Sequence, residues 1–227
     1  LAQLAELDKR RDAILKSLEE QGSLTDELKK QVMTAETLSA LEDIYLPYRP
    51  KRRTRATVAR EKGLEPLAQK LFVDAEKEVA SADDALAGGR DIIAEWVNED
   101  QTARAKMREL FEKKATFHTK VVSGKEEEGA KYRDYFDWSE PVNKAPSHRV
   151  LAMRRGEKEG ILSLRVTPPE EEALGLLKKL FVKADNDAAA QVAEAIDDSY
   201  KRLLCPSMET EIRVETKKQA DAEAIRV

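Results

Sequence analysis

The sequence predicts a mainly α-helical fold, an irregular multi-helix array with a helix-turn-helix-like element and a very small β component. Three observations support this prediction. Glycine and proline number only 9 and 8 among the 227 residues, so few positions interrupt a helix. Aromatic residues make up 5% of the chain, whereas the helix formers Ala, Leu, Glu, Lys and Arg are abundant. Apolar residues recur at helical spacing, beginning with Leu4, Leu7, Ile14 and Leu18.

Local signals divide the first part of the chain into helices. Gly22 is suited to end the first helix, and Thr25 and Thr37 are suited to cap the second and third. Pro47 and Pro50 end the third helix, because the residue before a proline is disfavoured in the α conformation. The sequence therefore predicts three short helices followed by an extended YLPYRP segment.

A helix, a glycine turn and a second helix follow this segment. Thr54 or Thr57 begins the first of these helices, Gly63 closes it, and Pro66 suits the first turn of the next. This arrangement, over about residues 37–72, resembles a helix-turn-helix. Most helix pairs bind nothing, so the pattern alone does not establish DNA binding.

The second part of the chain mixes helices with short strands. Gly88 and Gly89 predict a tight turn before a helix. The β-branched residues of 114–122 predict a short strand, and residues 126–136 a helix. Ser147 is predicted to cap a helix that stops at Gly156. The segment 161–166 predicts a strand, and residues 170–183, 188–204 and 207–227 predict three further helices.

We predict two helical lobes. Residues 1–114 contain the helix-turn-helix-like element, and residues 115–227 contain the short strand or hairpin near 161–166. The chain has no initiator methionine and opens and closes within helical patterns. We therefore expect a fragment of a longer protein, with the second lobe leading into a C-terminal domain that is absent here.

Composition limits the partners that the chain can bind. Its net charge of −4 argues against a uniformly basic nucleic-acid coat, so any phosphate binding must be local. No apolar run approaches the roughly 20 residues that span a bilayer, and the N-terminal residues do not follow the order of a signal peptide. Cys205 is the only cysteine and cannot form an internal disulfide. We expect a cytoplasmic protein with no membrane partner.

Residues that could support catalysis do not form a recognisable site. The Gly124-Lys125 pair lacks the other residues of a phosphate-binding loop. His118 and His148 have no partner at metal-ligand spacing. Cys205 follows two leucines and is predicted to pack in the core. We predict a non-enzymatic chain with no catalytic residue, no metal and no cofactor.

Residues 45–66, YLPYRPKRRTRATVAREKGLEP, hold the strongest concentration of charge. Seven cations stand there against only Glu61 and Glu65. Like charges held this close repel one another unless an anionic partner or fixed carboxylates compensate them. We predict that six of the cations contact nucleic-acid phosphates: Arg49, Lys51, Arg52, Arg53, Arg55 and Arg60. The alternative, which the sequence leaves open, is a surface whose arginines pair with carboxylates of the chain itself.

A second, weaker basic site is predicted near residue 150. It comprises His148, Arg149, Arg154 and Arg155. Arginines at a helix end also complement the helix dipole, so a purely structural role is the alternative.

The aromatic residues of 132–138 precede this site. We expect them to pack in the core, the alternative being stacking on unpaired bases.

Two long strings resemble one protein family. Residues 41–68, LEDIYLPYRPKRRTRATVAREKGLEPLA, and residues 132–162, YRDYFDWSEPVNKAPSHRVLAMRRGEKEGIL, are similar to segments of the bacterial transcription accessory protein Tex family, in the same order. The resemblance covers essentially the whole chain, and QADAEAIRV resembles the stretch that leads into the family's ribonuclease-H-like domain.

The resemblance implies a cytoplasmic protein that binds RNA or DNA and acts around transcription. It also implies that this chain is the helical N-terminal region with a helix-turn-helix-like element, without the family's S1 domain. Because that domain is the family's principal nucleic-acid-binding element, we expect this chain to bind weakly on its own. Two hypotheses follow: a non-catalytic module with auxiliary phosphate contacts, or a scaffold that docks on the rest of the protein or on the transcription machinery.

Overall fold

The computed structural model describes residues 2–50, 54–73 and 83–226, with side chains over 5–50, 54–72 and 86–225. Within these ranges the chain forms eleven α-helices and one three-stranded sheet, which confirms the mainly α prediction. It divides into two compact units. The first comprises Leu1–Ala105 and Ala184–Ala195, and the second Lys106–Lys183 and Ile196–Val227. The predicted lobes, 1–114 and 115–227, stay a prediction.

Eleven α-helices and three strands follow one another along the described parts of the chain. The first six helices are α1 (Ala2–Glu20), α2 (Asp26–Thr34), α3 (Leu38–Tyr45), α4 (Arg55–Glu61), α5 (Glu65–Val73) and α6 (Asp83–Glu99). They are followed by α7 (Gln101–Lys114), β1 (Thr116–Val121), β2 (Asp137–Pro141), α8 (Ser147–Lys158) and β3 (Leu162–Thr167). The chain closes with α9 (Glu170–Phe181), α10 (Asp187–Ser199) and α11 (Cys205–Arg226), the last two joined by a π-helical turn, Tyr200–Leu204.

Three threonines cap helices as the sequence predicts. The hydroxyl oxygens of Thr25, Thr37 and Thr54 accept backbone N–H groups three residues later, at 3.2, 3.1 and 3.1 Å. Each cap satisfies a donor that the first turn of a helix leaves without a partner. Gly63 follows α4 with a φ of +73°, a left-handed conformation that glycine adopts without a steric penalty. The helix pair α4–α5 therefore has the boundaries that its capping residues dictate.

The first unit contains a continuous apolar cluster from helices α1 to α3. Ile14, Leu18, Val32 and Leu41 are almost completely buried in it. Arg11 closes one edge of this cluster, because its guanidinium donates to the backbone oxygens of Val32 and Ala35, at 3.0 and 2.8 Å, at the end of α2. Unpaired carbonyls at a helix C-terminus are thereby satisfied by a side chain.

Helices α4 and α5 pack against α6 in the same unit. Gly88 and Gly89 lie inside α6, so the predicted tight turn at this pair is wrong. A β-carbon at Gly88 would stand 2.3 Å from Leu64 Cδ1, and one at Gly89 would stand 3.1 Å from Leu71 Cδ1. The two glycines thus permit a close approach of the helices, a packing role that a single sequence does not reveal.

The second unit is organised around the antiparallel sheet, in the order β2-β1-β3. Phe117 and Thr119 of β1 and Leu164 and Val166 of β3 point to the buried face, where helices α8 and α11 pack on β3. Strands β1 and β3 confirm the predictions for 114–122 and 161–166, whereas β2 was not predicted. The α-helix predicted over 126–136 is wrong, since turns and a 3-10 helix, Ala130–Tyr135, occupy it.

Candidate nucleic-acid interface

The basic segment starts from a buried tyrosine. Tyr45 is only 6% exposed, and its hydroxyl hydrogen-bonds with that of Ser17 at 2.8 Å. The guanidinium of Arg10 lies 5.8 Å from the ring centroid, held by an ion pair with Glu42. The hydrogen bond that Arg10 donates to Glu42, together with the negative charge of Glu42, raises the pKa of Arg10. Tyr45 therefore fixes the position at which the chain leaves α3.

The residues immediately after Tyr45 face solvent. A 3-10 helix, Leu46–Tyr48, presents Tyr48 at 38% exposure, and Arg49 follows it in an exposed position. The backbone N–H of Arg49 donates to the carbonyl of Tyr45 at 3.0 Å, which holds the turn in place. Lys51, Arg52 and Arg53, three of the predicted phosphate contacts, lie outside the described residues.

Arg60, in contrast, is a half-buried anchor between two helices. Its Nη1 donates to Glu95 Oε2 of α6 at 2.7 Å, and its Nε lies 3.4 Å from Glu65 Oε1. Burial lowers the pKa of Arg60, but the hydrogen bond and charge of Glu95, with the charge of Glu65, outweigh it and raise the pKa overall. Glu95 is itself only 8% exposed, and the Thr54 hydroxyl reaches it at 3.5 Å.

Arg55 combines exposure with a partner on α6. Its side chain is 57% exposed, yet its Nε donates to Asp91 Oδ2 at 3.2 Å, and a second, shorter contact completes the ion pair. Two of the six predicted cations thus meet carboxylates that lie 35 and 36 residues further along the chain. Sequence reasoning missed Asp91 and Glu95, because nothing local marks them as partners of α4.

The second predicted basic site is also divided between partnered and exposed side chains. Arg149 Nη1 donates to Glu140 Oε1 at 2.7 Å, and its guanidinium lies 5.5 Å from the centre of the Trp138 ring. Arg154 pairs with Glu157 at 2.9 Å, while His148 and Arg155 are exposed. His148 and Arg155 are seven residues apart on α8, so both lie on one side of the helix. His148 and Arg155 are thus the more exposed half of the predicted site.

Two further candidates for chemistry are the lone cysteine and a metal site. Cys205 is buried, as predicted, and burial raises the pKa of its thiol, which keeps it protonated near neutral pH. Burial likewise raises the pKa of the neighbouring Tyr200. Across the described parts of the chain, no group of three His, Cys, Asp or Glu side chains could hold a metal ion. Nor is any helix there long and apolar enough to cross a membrane.

Comparison with known proteins assigns the chain to a family. The family model described as Tex central region-like matches residues 61–227, which is 167 of the 227 residues. The chain belongs to the Tex family. Protein YhgF of Escherichia coli is 41% identical over the whole chain, which covers 32% of that protein. Transcriptional accessory protein Tex of Neisseria gonorrhoeae is 38% identical over the whole chain, which covers 32% of that protein. Protein tex of Bordetella pertussis is 40% identical over 95% of the chain, and the match covers 31% of that protein.

The chain therefore spans about a third of the length of these Tex relatives. The residues that match the family model begin at Glu61, so all six predicted phosphate contacts precede them. The three relatives nevertheless align with all or nearly all of this chain. The six predicted contacts thus lie in a part of the chain that aligns with these relatives but precedes the segment that the family model matches.

Proposed function

We propose that this chain is a non-catalytic helical module of a cytoplasmic Tex-like transcription accessory protein and contributes auxiliary nucleic-acid binding. Arg49 and the neighbouring cations 51–53 would contact phosphates, and these contacts would position the protein without reading sequence. The name of the gonococcal relative, transcriptional accessory protein Tex, supports a role in transcription. RNA and DNA are both candidate ligands, because a phosphate backbone is common to them.

One observation carries this proposal: the exposed end of the basic segment lies between two fixed points. Tyr45 is buried before it, and Thr54 and Arg60 are tied to Glu95 after it. The described residues on either side of positions 51–53 are therefore held by the fold, which lowers the entropy that these flanking residues would lose when a ligand binds. In this arrangement Arg55 and Arg60 support the segment, and we propose α4–α5 as its helix-turn-helix-like base.

A scaffold without nucleic-acid contacts is the second candidate function. It is favoured by the carboxylate partners of Arg55, Arg60, Arg149 and Arg154. If residues 51–53 were compensated in the same way, the segment would serve only to dock α4 within the chain. The transcription machinery, or another part of a Tex-like protein, would then be the partner.

A salt-titrated binding measurement tests the proposal. The variant Arg49→Ala/Lys51→Ala/Arg52→Ala/Arg53→Ala should lose most affinity for a fluorescein-labelled RNA or DNA strand. Its slope of log affinity against log salt should flatten by roughly 0.7–0.9 for each phosphate contact removed. The control variant Lys9→Ala/Lys16→Ala/Lys29→Ala/Lys30→Ala removes the same charge from exposed positions on α1 and α2 and should retain both affinity and slope.

The two hypotheses separate cleanly in this experiment. Equal losses in both variants would indicate only a general effect of net charge. If neither variant changes affinity or slope, the basic segment does not bind nucleic acid, and the scaffold hypothesis replaces the proposal.

A further inference from the structure

The sheet of the second unit has an open face that no predicted site includes. Side chains alternate between the two faces of a strand. Opposite the buried Phe117 and Thr119, strand β1 therefore presents His118 and Lys120 to solvent. Their cross-strand neighbours are exposed as well: Ser139 and Asp137 on β2, and Arg165 and Ser163 on β3.

The strand register arranges these side chains in two rows. Ser139, His118 and Arg165 form one row, and Asp137, Lys120 and Ser163 form the next. Neighbours within a row have Cα atoms about 5 Å apart, and the rows are separated by about 7 Å along the strand. His118, Lys120 and Arg165 therefore share one solvent-facing surface.

Each of these three side chains is either held in position by a neighbouring side chain or exposed to solvent. His118 Nδ1 hydrogen-bonds with Ser139 Oγ at 2.9 Å. This contact orients the imidazole ring and uses only one of its two nitrogens. Arg165 is held through Nε by the buried Glu209, at 3.0 Å, but its side chain remains 64% exposed. Lys120 is exposed, and no carboxylate among the described residues forms an ion pair with it.

We infer that this face, defined by His118, Lys120 and Arg165, is a second contact surface for the phosphodiester backbone of a nucleic-acid strand. The inference rests on the proposed nucleic-acid binding but uses a different surface, within the residues that match the family model. An antiparallel sheet with one solvated face offers a flat support, and a polyanionic strand can lie across it without a pocket. Because the contacts go to phosphates, the face would position the strand and would not read its sequence.

A substitution at Asp137 can separate an effect on nucleic-acid affinity from a loss of structure. It is the one carboxylate among the outward side chains of the three described strands, and it stands opposite Lys120. Its negative charge opposes the binding of a phosphate. Neutralising Asp137 should therefore strengthen binding, whereas removing Lys120 should weaken it. Loss of structure would weaken binding in both cases.

The test measures fluorescence anisotropy of a labelled RNA or DNA strand with the intact chain. Lys120→Ala should weaken binding about two- to fivefold, the effect expected from one exposed charge contact, and Asp137→Asn should tighten it by a similar factor. Lys179→Ala, an exposed lysine on α9, removes the same charge elsewhere and should leave affinity unchanged. The backbone amide NMR resonances of β1 and β3 should shift when the RNA or DNA is added. They should not shift when poly-glutamate is added.

Several outcomes would overturn the inference. Unchanged affinity in both Lys120→Ala and Asp137→Asn would do so, as would a change of both in the same direction. Stronger competition by poly-glutamate than by nucleic acid would point to an acidic protein partner instead. Another outcome is that the fourfold variant at residues 49 and 51–53 abolishes binding while the amide resonances of β1 and β3 do not shift with nucleic acid. In that case the proposed function stands and this second surface does not. If resonances of neither surface respond to nucleic acid, both fail.

Discussion

Helices α4 and α8 each carry arginines of a predicted basic cluster, but the contacts that hold the two helices in the fold differ. Helix α4 has only seven residues, and its buried side chains are the small Ala56 and Ala59. Helix α8 has twelve residues and buries Val150 and Met153. Since hydrophobic stabilisation scales with the apolar area removed from water, α8 gains more from burial than α4.

The ion pairs of the two helices differ in the elements that they connect, although Glu140, the partner of Arg149 on α8, is also only 12% exposed. The arginines of α4 reach carboxylates of α6 that are mostly buried, with side-chain exposures of 10% for Glu95 and 15% for Asp91. On α8, Arg154 pairs with a residue of its own helix, and Arg149 pairs with Glu140 of the nearby strand β2. Similar clusters of arginine in a sequence can thus have different structural roles. The arginines of α4 connect one helix to another, whereas those of α8 lie on a helix that is already held by apolar contacts.

The largest effect should come from the apolar anchor of α8. Met153→Ala is expected to lower the free energy of unfolding by about 2–5 kcal/mol, because Met153 is fully buried and its truncation leaves a cavity. Ala59→Gly in α4 should cost only about 1 kcal/mol. Urea denaturation followed by tryptophan fluorescence measures both. A loss below about 1 kcal/mol for Met153→Ala would show that α8 does not depend on this contact.

An intermediate effect should separate the carboxylates of the two helices. Glu95→Ala is expected to cost about 1–3 kcal/mol, because it leaves the half-buried Arg60 without its main partner and removes the acceptor near Thr54. Glu140→Ala should cost less, since Arg149 is 38% exposed and can be solvated. Hydrogen exchange of the α4 amides should accelerate only in the Glu95 variant.

Glu95→Gln is the matched control, because it retains an oxygen acceptor but loses the charge. If Glu140→Ala destabilises the chain as much as Glu95→Ala, the contrast between the two helices is wrong.

The smallest effect should come from the more exposed ion pairs. Arg55→Ala and Arg154→Ala are each expected to change the free energy of unfolding by no more than about 1 kcal/mol. The same urea titrations, repeated at high salt, should show even smaller differences, because salt screens exposed charges. A loss above about 2 kcal/mol in Arg55→Ala would mean that its contact with Asp91 holds α4 as firmly as that of Arg60 with Glu95.

Part of the basic site was predictable from the sequence. The concentration of cations before Lys62 and the position of Thr54 as a cap are both local, and the structure confirms the cap. The division between exposed and paired arginines was not predictable. It depends on Asp91 and Glu95, which α6 brings against α4 from more than thirty residues away. The open sheet face was missed for the same reason, since β2 has only five residues and its register with β1 is a long-range property.

The sequence by itself determined the mainly helical fold, the threonine caps, the glycine turn at Gly63 and strands β1 and β3. These features depend on groups within a few residues of one another, so their chemistry is present in any short window of the chain. Only the tertiary structure decided that Gly88 and Gly89 lie within a helix interface, that Arg60 is an anchor, and that His118 and Lys120 share a face with Arg165. Those outcomes depend on which distant segments pack together, and that choice is made by the burial of the whole apolar surface.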